Sequence, residues 1–136
     1  MALIGGGGAG NVAGGNPSGT SSGLNYIGNH VYAHSGSINV NNIDTTLLDF
    51  TIAGNQYITA KITIGSKAGH GDDMNMQILI NGELIYSSYE ALVSMPTQNP
   101  LNILLPPESR IVVKARNVGS ATDRAMECVI LGRVYT

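Results

Sequence analysis

The chain has 136 residues, of which 18 are glycine and one is cysteine, and its 7 lysines and arginines against 9 acidic residues give a formal charge of -2. This length fits a single domain. The small number of lysines and arginines excludes the basic surface that binds nucleic acid or an acidic membrane. A lone cysteine excludes an internal disulfide. Charged residues make up 12% of the chain, about half of the roughly 25% that is usual. We therefore expect much of the surface to face other protein.

Residues 1–24 form an uncharged arm rich in glycine, serine and asparagine. Such a segment cannot bury enough apolar area to offset the entropy of ordering its backbone, so alone it should be disordered. A Gly-rich strand fits closely into grooves between subunits and offers its backbone N–H and C=O groups there. We therefore predict that the arm docks on partner subunits with Leu3, Ile4 and Val12 as its anchors; the alternative is a flexible linker. No lysine or arginine precedes the first apolar residues, so we expect no secretory signal.

Residues 25–136 are predicted to form one antiparallel all-β domain of eight or nine strands, because short alternating segments recur at a spacing of about ten residues. The segment 56–65 is the clearest strand, with Ile58 and Ile62 on one side and Lys61 on a wet side. The segment 125–135 alternates in the same way. The other predicted strands are 30–33, 37–40, 46–52, 74–81, 83–86, 101–105 and 109–117.

Turn residues mark the ends of several of these strands. Asn81-Gly82 separates two apolar runs and predicts a type I′ hairpin turn, in which both central residues have positive φ. Pro106-Pro107 ends the strand before it, because proline fixes φ and has no N–H to donate. The apolar spacing within 87–95 fits a helical turn as well as a strand, so that segment stays open between the two.

This number of strands predicts two packed antiparallel sheets built from residues 30–136. Each fully buried aliphatic side chain contributes about 1.5 to 3 kcal/mol, so a core of this composition suffices for one domain. We expect the core to contain Ile58, Ile62, Ile64, Ile78, Ile80, Ile111, Val113, Cys128 and Ile130.

The segment 67–73 gathers one histidine and two carboxylates, His70, Asp72 and Asp73, within four positions. A calcium loop needs acidic or amide ligands at alternate positions followed by a glutamate, and the chain continues differently. A zinc site needs three or four ligands, and the other histidines lie about forty residues away. We interpret the segment as a solvated hairpin loop turned by its glycines.

No other motif indicates catalysis. Cys128 could be a nucleophile, but it lies within a strand with no helix N-terminus to activate it, so we predict a buried structural thiol. His30 and His34 share one face of a strand and are interpreted as surface or interface residues. The glycines at 5–8 lack the context of a phosphate loop, and no G-x-S-x-G elbow occurs. We therefore expect no enzyme activity, no cofactor and no metal site.

Three features of residues 44–136 form a pattern: a strand that ends Leu104-Leu105-Pro106-Pro107, a hydrophobic strand at 111–117, and a closing strand that ends Leu131-Gly132-Arg133-Val134-Tyr135. The pattern resembles small β-sandwich accessory proteins on the capsids of tailed bacteriophages. The resemblance implies a jelly-roll-like decoration protein, usually oligomeric, on the outside of a capsid lattice. It implies no catalytic or ligand residues.

We therefore expect a non-enzymatic virion structural protein, made in the host cytoplasm, that binds the outer surface of the major capsid protein lattice. Low charge and the need to cover sheet edges predict a closed homo-oligomer, with a trimer favoured. The alternative is the glycan- or receptor-binding head domain of a viral fibre or adhesin. In that case the arm would be a stalk connector, and some of the six tyrosines would form a sugar-stacking platform.

Overall fold

The computed structural model describes residues 24–66, 72–91 and 100–136, and these residues form ten strands. They contain no helix that is long and apolar enough to cross a membrane. The strands are β1 (Asn25–Ile27), β2 (His30–His34), β3 (Ile38–Val40), β4 (Thr45–Thr51), β5 (Tyr57–Ser66), β6 (Asp73–Ile80), β7 (Glu83–Ala91), β8 (Leu101–Leu105), β9 (Arg110–Asn117) and β10 (Arg124–Tyr135).

All strand pairs are antiparallel, and they form two sheets. One sheet has four strands in the order β4-β9-β6-β7, and the other has six in the order β1-β2-β10-β5-β8, with β3 beside β10 on the same side as β2. If β2 and β3 are counted as one interrupted strand and short β1 is left out, eight strands remain, which can be renumbered 1 to 8 in chain order. The six-stranded sheet then has the order 1-8-3-6, and the four-stranded sheet has the order 2-7-4-5. These are the orders of a jelly roll, so the predicted jelly-roll-like sandwich is confirmed.

One hydrophobic core lies between the inner faces of the two sheets. Eight of the nine side chains predicted for it are at most 3% exposed, and Ile80 is half-buried against it. The core also includes Leu24, which is fully buried, and Phe50 near the end of β4. Strict alternation explains this outcome, since every second residue of a strand faces the same side of its sheet.

The hairpin between β6 and β7 has the predicted geometry. Asn81 and Gly82 have φ values of 53° and 83°, so both occupy the left-handed region that a type I′ turn requires. Asn81 is held further by β9, because its backbone N–H donates to the carbonyl of Arg110 at 2.9 Å and its Oδ1 accepts from the N–H of Arg110 at 2.9 Å. The turn is thereby fixed to the neighbouring strand.

The structure extends the sequence analysis at two places. A tenth strand, Asn25–Ile27, pairs with β2 and precedes the start of the predicted sheets. In the open segment 87–95, β7 continues as a strand to Ala91, because Asn75 pairs with Tyr89 and Asp73 with Ala91. The predicted anchors Leu3, Ile4 and Val12, as well as His70, lie outside the described residues and stay predictions.

Candidate functional site

The outward side of the six-stranded sheet carries apolar and cationic side chains together. Adjacent strands place these residues in rows, because paired residues of antiparallel strands face the same side. Leu131 lies between Tyr32 and Lys61, and Lys61 is paired in turn with Asn102. In the next row Arg133 lies between His30 and Thr59, and Thr59 is paired with Leu104. Four strands thus contribute to one surface.

Apart from Tyr32, the residues of these two rows line an open groove of about 800 Å³, which we call the outer groove. Leu104 and Leu131 lie on the solvent side of the sheet, and they expose 53% and 49% of their surface there. The two leucines lie in different rows on β8 and β10, on either side of β5. The side chains that line the outer groove are His30, Thr59, Lys61, Asn102, Leu104, Leu131 and Arg133.

The outer groove has a cationic character within an acidic protein. No aspartate or glutamate lines it, and among the described residues no carboxylate lies within 4.0 Å of Lys61 or Arg133. The arginines at 110, 116 and 124 differ, because each is paired with an aspartate. The charges of Lys61 and Arg133 are therefore available to a partner.

A pair of tyrosines extends this surface along β5 and β10. Tyr57 and Tyr135 are paired residues whose rings stack with centroids 5.2 Å apart. The guanidinium of Arg133 lies 5.9 Å from the centre of the Tyr135 ring, at the outer limit of a cation–π contact. The rings, like Tyr32, are 39% exposed, so each offers part of its surface to a partner.

The other residues considered in the sequence have separate locations. His30 lines the outer groove, whereas the Nε2 of His34 lies 3.9 Å from the carboxylate of Glu127. Tyr26 is half-buried, accepts a hydrogen bond from Gln56, and has its pKa raised by burial. Within the described part of the chain, no group of three or more His, Cys, Asp or Glu side chains is placed to hold a metal ion.

Asp72 organises the junction between β9 and β10. Its Oδ2 accepts hydrogen bonds from Arg124 Nε at 2.7 Å, Asn117 Nδ2 at 3.0 Å and Ser120 Oγ at 3.0 Å. These hydrogen bonds lower the pKa of Asp72 from 3.8 to about 2. The bond from Arg124 makes the largest contribution, and the bond from Asn117 makes the next largest. Because three donors already occupy this oxygen, the carboxylate is engaged in holding the loop together.

Cys128 is fully buried in β10, and burial raises the pKa of its thiol to about 12. A thiol is a nucleophile only as the thiolate, so this environment suppresses its reactivity. Its backbone N–H donates to Ser35 Oγ at 2.8 Å, across the interruption between β2 and β3. The side chain and the backbone of Cys128 both serve the fold, as the sequence predicted for a structural thiol.

The outer groove itself was not predicted. The alternation in 56–65 placed Lys61 on a wet side, but its neighbours His30, Asn102 and Arg133 lie far away in the chain. One signal was present in the sequence: Leu131 occupies an outward position of an alternating strand, where a polar residue is the rule.

Comparison with known proteins gives distant similarities. No family model and no curated protein matches the chain. The VP2 subviral particle of infectious bursal disease virus is 10% identical over 76% of this chain and 32% of that chain, with a TM-score of 0.45. A family 35 carbohydrate-binding module from Clostridium thermocellum is 17% identical over 84% of this chain and 85% of that one, with a TM-score of 0.34. Dimeric latent PorU from Porphyromonas gingivalis is 19% identical over 74% of this chain and 11% of that chain, with a TM-score of 0.36.

The capsid protein and the carbohydrate-binding module are β-sandwiches, as this chain is. This chain spans 11% of the PorU chain and 32% of the VP2 chain. At TM-scores below 0.5 these similarities carry no argument about a ligand or a partner. The assignment of the fold rests on the strand order of the chain itself.

Proposed function

We propose that this protein is a non-enzymatic virion structural protein that decorates a capsid, and that its outer groove binds the surface of the capsid protein lattice. The observation that carries the proposal is the pair of exposed leucines, Leu104 and Leu131, beside the uncompensated charges of Lys61 and Arg133. The resemblance in residues 44–136 supports the same function. The low charge of the chain is a further support.

The composition of the outer groove favours a protein partner. Covering a leucine removes apolar surface from water at about 25 cal/mol per Å², and half of each side chain is still exposed to be covered. Lysine and arginine within the rows guide an acidic surface into register and speed its association. Apolar contacts surrounded by charge are the usual anatomy of a protein interface.

A glycan-binding head domain is the second candidate, and the stacked rings of Tyr57 and Tyr135 are the observation in its favour. Aromatic rings present an apolar surface with a polar edge, which suits a sugar ring. Sugar hydroxyls, however, also need hydrogen-bond acceptors. The side chains of the outer groove provide Asn102 and Thr59 but no carboxylate, so we place this function second.

The test is attachment to purified empty capsids by the double charge reversal Lys61→Glu/Arg133→Glu. We expect binding to weaken by a factor of about ten or more, since like charges would now face an acidic surface. The matched control is Lys114→Glu, which reverses a cation on the outward side of the other sheet and should leave binding unchanged. Unchanged attachment of the double variant would contradict the proposal. Binding to a glycan array in place of capsids would favour the second candidate, and a turnover abolished by Cys128→Ser or His70→Ala would favour an enzyme.

A further inference from the structure

The outer groove holds its leucines and its cations in an arrangement that the strand register fixes. On β10, Leu131 and Arg133 face outward two residues apart. On the adjacent strand β5, Lys61 lies beside Leu131 and Thr59 lies beside Arg133. Leu104 on β8 lies on the far side of Thr59. In the plane of the sheet, Lys61 and Arg133 therefore stand on opposite sides of the line that joins the two leucines.

The length of that line follows from the geometry of a sheet. Neighbouring strands are about 4.8 Å apart, and a two-residue step along a strand covers about 6.8 Å. Leu104 and Leu131 differ by two strands in one direction and by one such step in the other, so they lie about 12 Å apart. An extended chain places residues i and i+4 on the same side at about 13 Å, with residue i+2 midway between them. A partner segment of this length reaches both leucines.

The middle of such a segment lies between two positive charges. Among the described residues, no carboxylate lies within 4.0 Å of Lys61 or Arg133, so neither charge is neutralised there. A guanidinium binds a carboxylate through two parallel N–H bonds, and an ammonium group binds it as a point charge. An aspartate or glutamate at residue i+2 can contact both cations.

We propose that the outer groove receives an extended acidic segment of its protein partner, with one carboxylate residue two positions from an aliphatic residue on each side. The inference rests on the proposed function of the outer groove and names the kind of partner segment that fits it. The aliphatic side chains cover Leu104 and Leu131, while the carboxylate binds Arg133 and Lys61. A protruding segment also fills the groove of about 800 Å³, which a flat surface would leave empty.

Titration of the isotope-labelled full chain with blocked pentapeptides, followed by NMR, tests the proposal. The probe has leucine at both ends, glutamate in the centre and serine at the two positions between. One control peptide has glutamine in place of the glutamate, and the other has the same composition as the probe with both leucines next to the glutamate. We expect saturable shifts of the Lys61, Leu104 and Leu131 signals with the probe, and an affinity lower by a factor of about ten or more for each control.

Variants of the chain check that the named side chains bind the probe. We expect Arg133→Gln and Leu104→Ser each to weaken binding of the probe by a factor of about ten. Leu84→Ser is the matched control, because Leu84 is 53% exposed, as Leu104 is, but lies on β7 of the other sheet. Thermal unfolding of each variant separates loss of binding from loss of fold, and the three peptides test the proposal on the full chain alone.

Several results would overturn the proposal. They are the absence of saturable binding of the probe, equal affinity for either control peptide, and equal loss of binding in Leu84→Ser. Tighter binding of polyglucuronic acid than of the probe would also overturn it, because an acidic glycan would then be the partner. No capsid enters the titration. Capsid attachment that depends on Lys61 and Arg133 without binding of the probe would therefore remove this inference and leave the proposed function standing, whereas binding of the probe by a chain that does not attach to capsids would do the reverse.

Discussion

Among the glycines that the structure describes, Gly132 has the least space for a side chain. A Cβ at this position of β10 would lie 2.8 Å from Ile58 Cγ2, 2.9 Å from the carbonyl oxygen of Thr59 and 3.0 Å from Val31 Cγ1. One of these contacts is with backbone, which cannot move aside without disturbing the pairing of β10 with β5. Position 132 therefore has no space for a side chain, and glycine allows β10 to lie this close to Ile58, Thr59 and Val31.

We predict that Gly132→Ala lowers the free energy of unfolding by about 1 to 3 kcal/mol, the usual cost of overpacking. Urea denaturation measures the change. Leu131→Thr, which replaces the adjacent exposed residue with another strand-forming one, is the control and should change stability by no more than about 0.5 kcal/mol. Equal stability of Gly132→Ala and the full chain would mean that β10 can shift away from Ile58.

Asp72 makes the stability of the fold depend on acid pH. Its pKa falls from 3.8 to about 2 on folding, chiefly because Arg124 and Asn117 donate to its carboxylate. A depressed folded pKa stabilises the protein above the unfolded value, and that contribution is lost as the pH falls through the folded value. We predict that the difference in melting temperature between the full chain and Asp72→Asn is largest near neutral pH and shrinks between pH 4 and pH 2. Thermal unfolding across this range measures it, and an equal difference at pH 7 and at pH 2 would contradict the prediction.

The hairpin between β6 and β7 depends on Asn81 and Gly82, which both have positive φ. Gly82 has a φ of 83° and no atom within 4 Å of the place a Cβ would take, so a substitution there changes the backbone energy alone. We predict that Gly82→Ala destabilises the protein by about 1 to 2 kcal/mol. Gly82→Asn should cost less, because asparagine tolerates this conformation. Equal costs in chemical denaturation would show that the turn changes its type.

Sequence patterns predicted those elements whose signal is local. β5 and β10 follow from strict alternation, and the turn at Asn81-Gly82 follows from the φ values that those residues allow. β1 was missed because its three residues are too few to show a period. The sequence did not distinguish a helical turn from a strand after Ser87, because apolar spacings of three and four residues fit both. The pairing with β6 shows that the described part of this segment is a strand.

The candidate site could not be predicted for a different reason. His30, Lys61, Asn102 and Arg133 become neighbours only through the register of β2, β10, β5 and β8. Register depends on which strands pair across the whole sheet, and no local period contains that information. The sequence placed Leu131 on the outward side of its strand, but the residues that lie beside it in the outer groove could be identified only from the fold.

At the scale of the whole molecule, Leu24 marks where the core begins. It is fully buried, although it closes the Gly-rich segment of the sequence. We predict that deletion of residues 1–23 leaves the stability of the body nearly unchanged, whereas Leu24→Ala lowers it by about 2 to 5 kcal/mol. Chemical denaturation compares the two variants. A deletion that unfolds the body would show that the arm belongs to the domain.

The arm is also predicted to contribute to attachment. A flexible segment of 23 residues spans roughly 25 Å on average, which is enough to reach an adjacent subunit. We expect the deletion to weaken binding to purified empty capsids strongly and Leu3→Ser/Ile4→Ser to reproduce part of that loss. Binding of the truncated protein as tight as that of the full chain would leave the arm with no role in docking.

The pairing of Val31 with Gly132 joins positions about a hundred residues apart, and this has a consequence for the order of events in folding. Closing so long a loop costs entropy before any contact returns it, and sandwiches built from distant pairs fold in milliseconds to seconds. The outer groove draws on strands spread from β2 to β10, so it exists only when these long-range pairings are complete. If the outer groove binds a capsid as proposed, a partly folded chain lacks the binding surface, and attachment selects the chains that have finished folding.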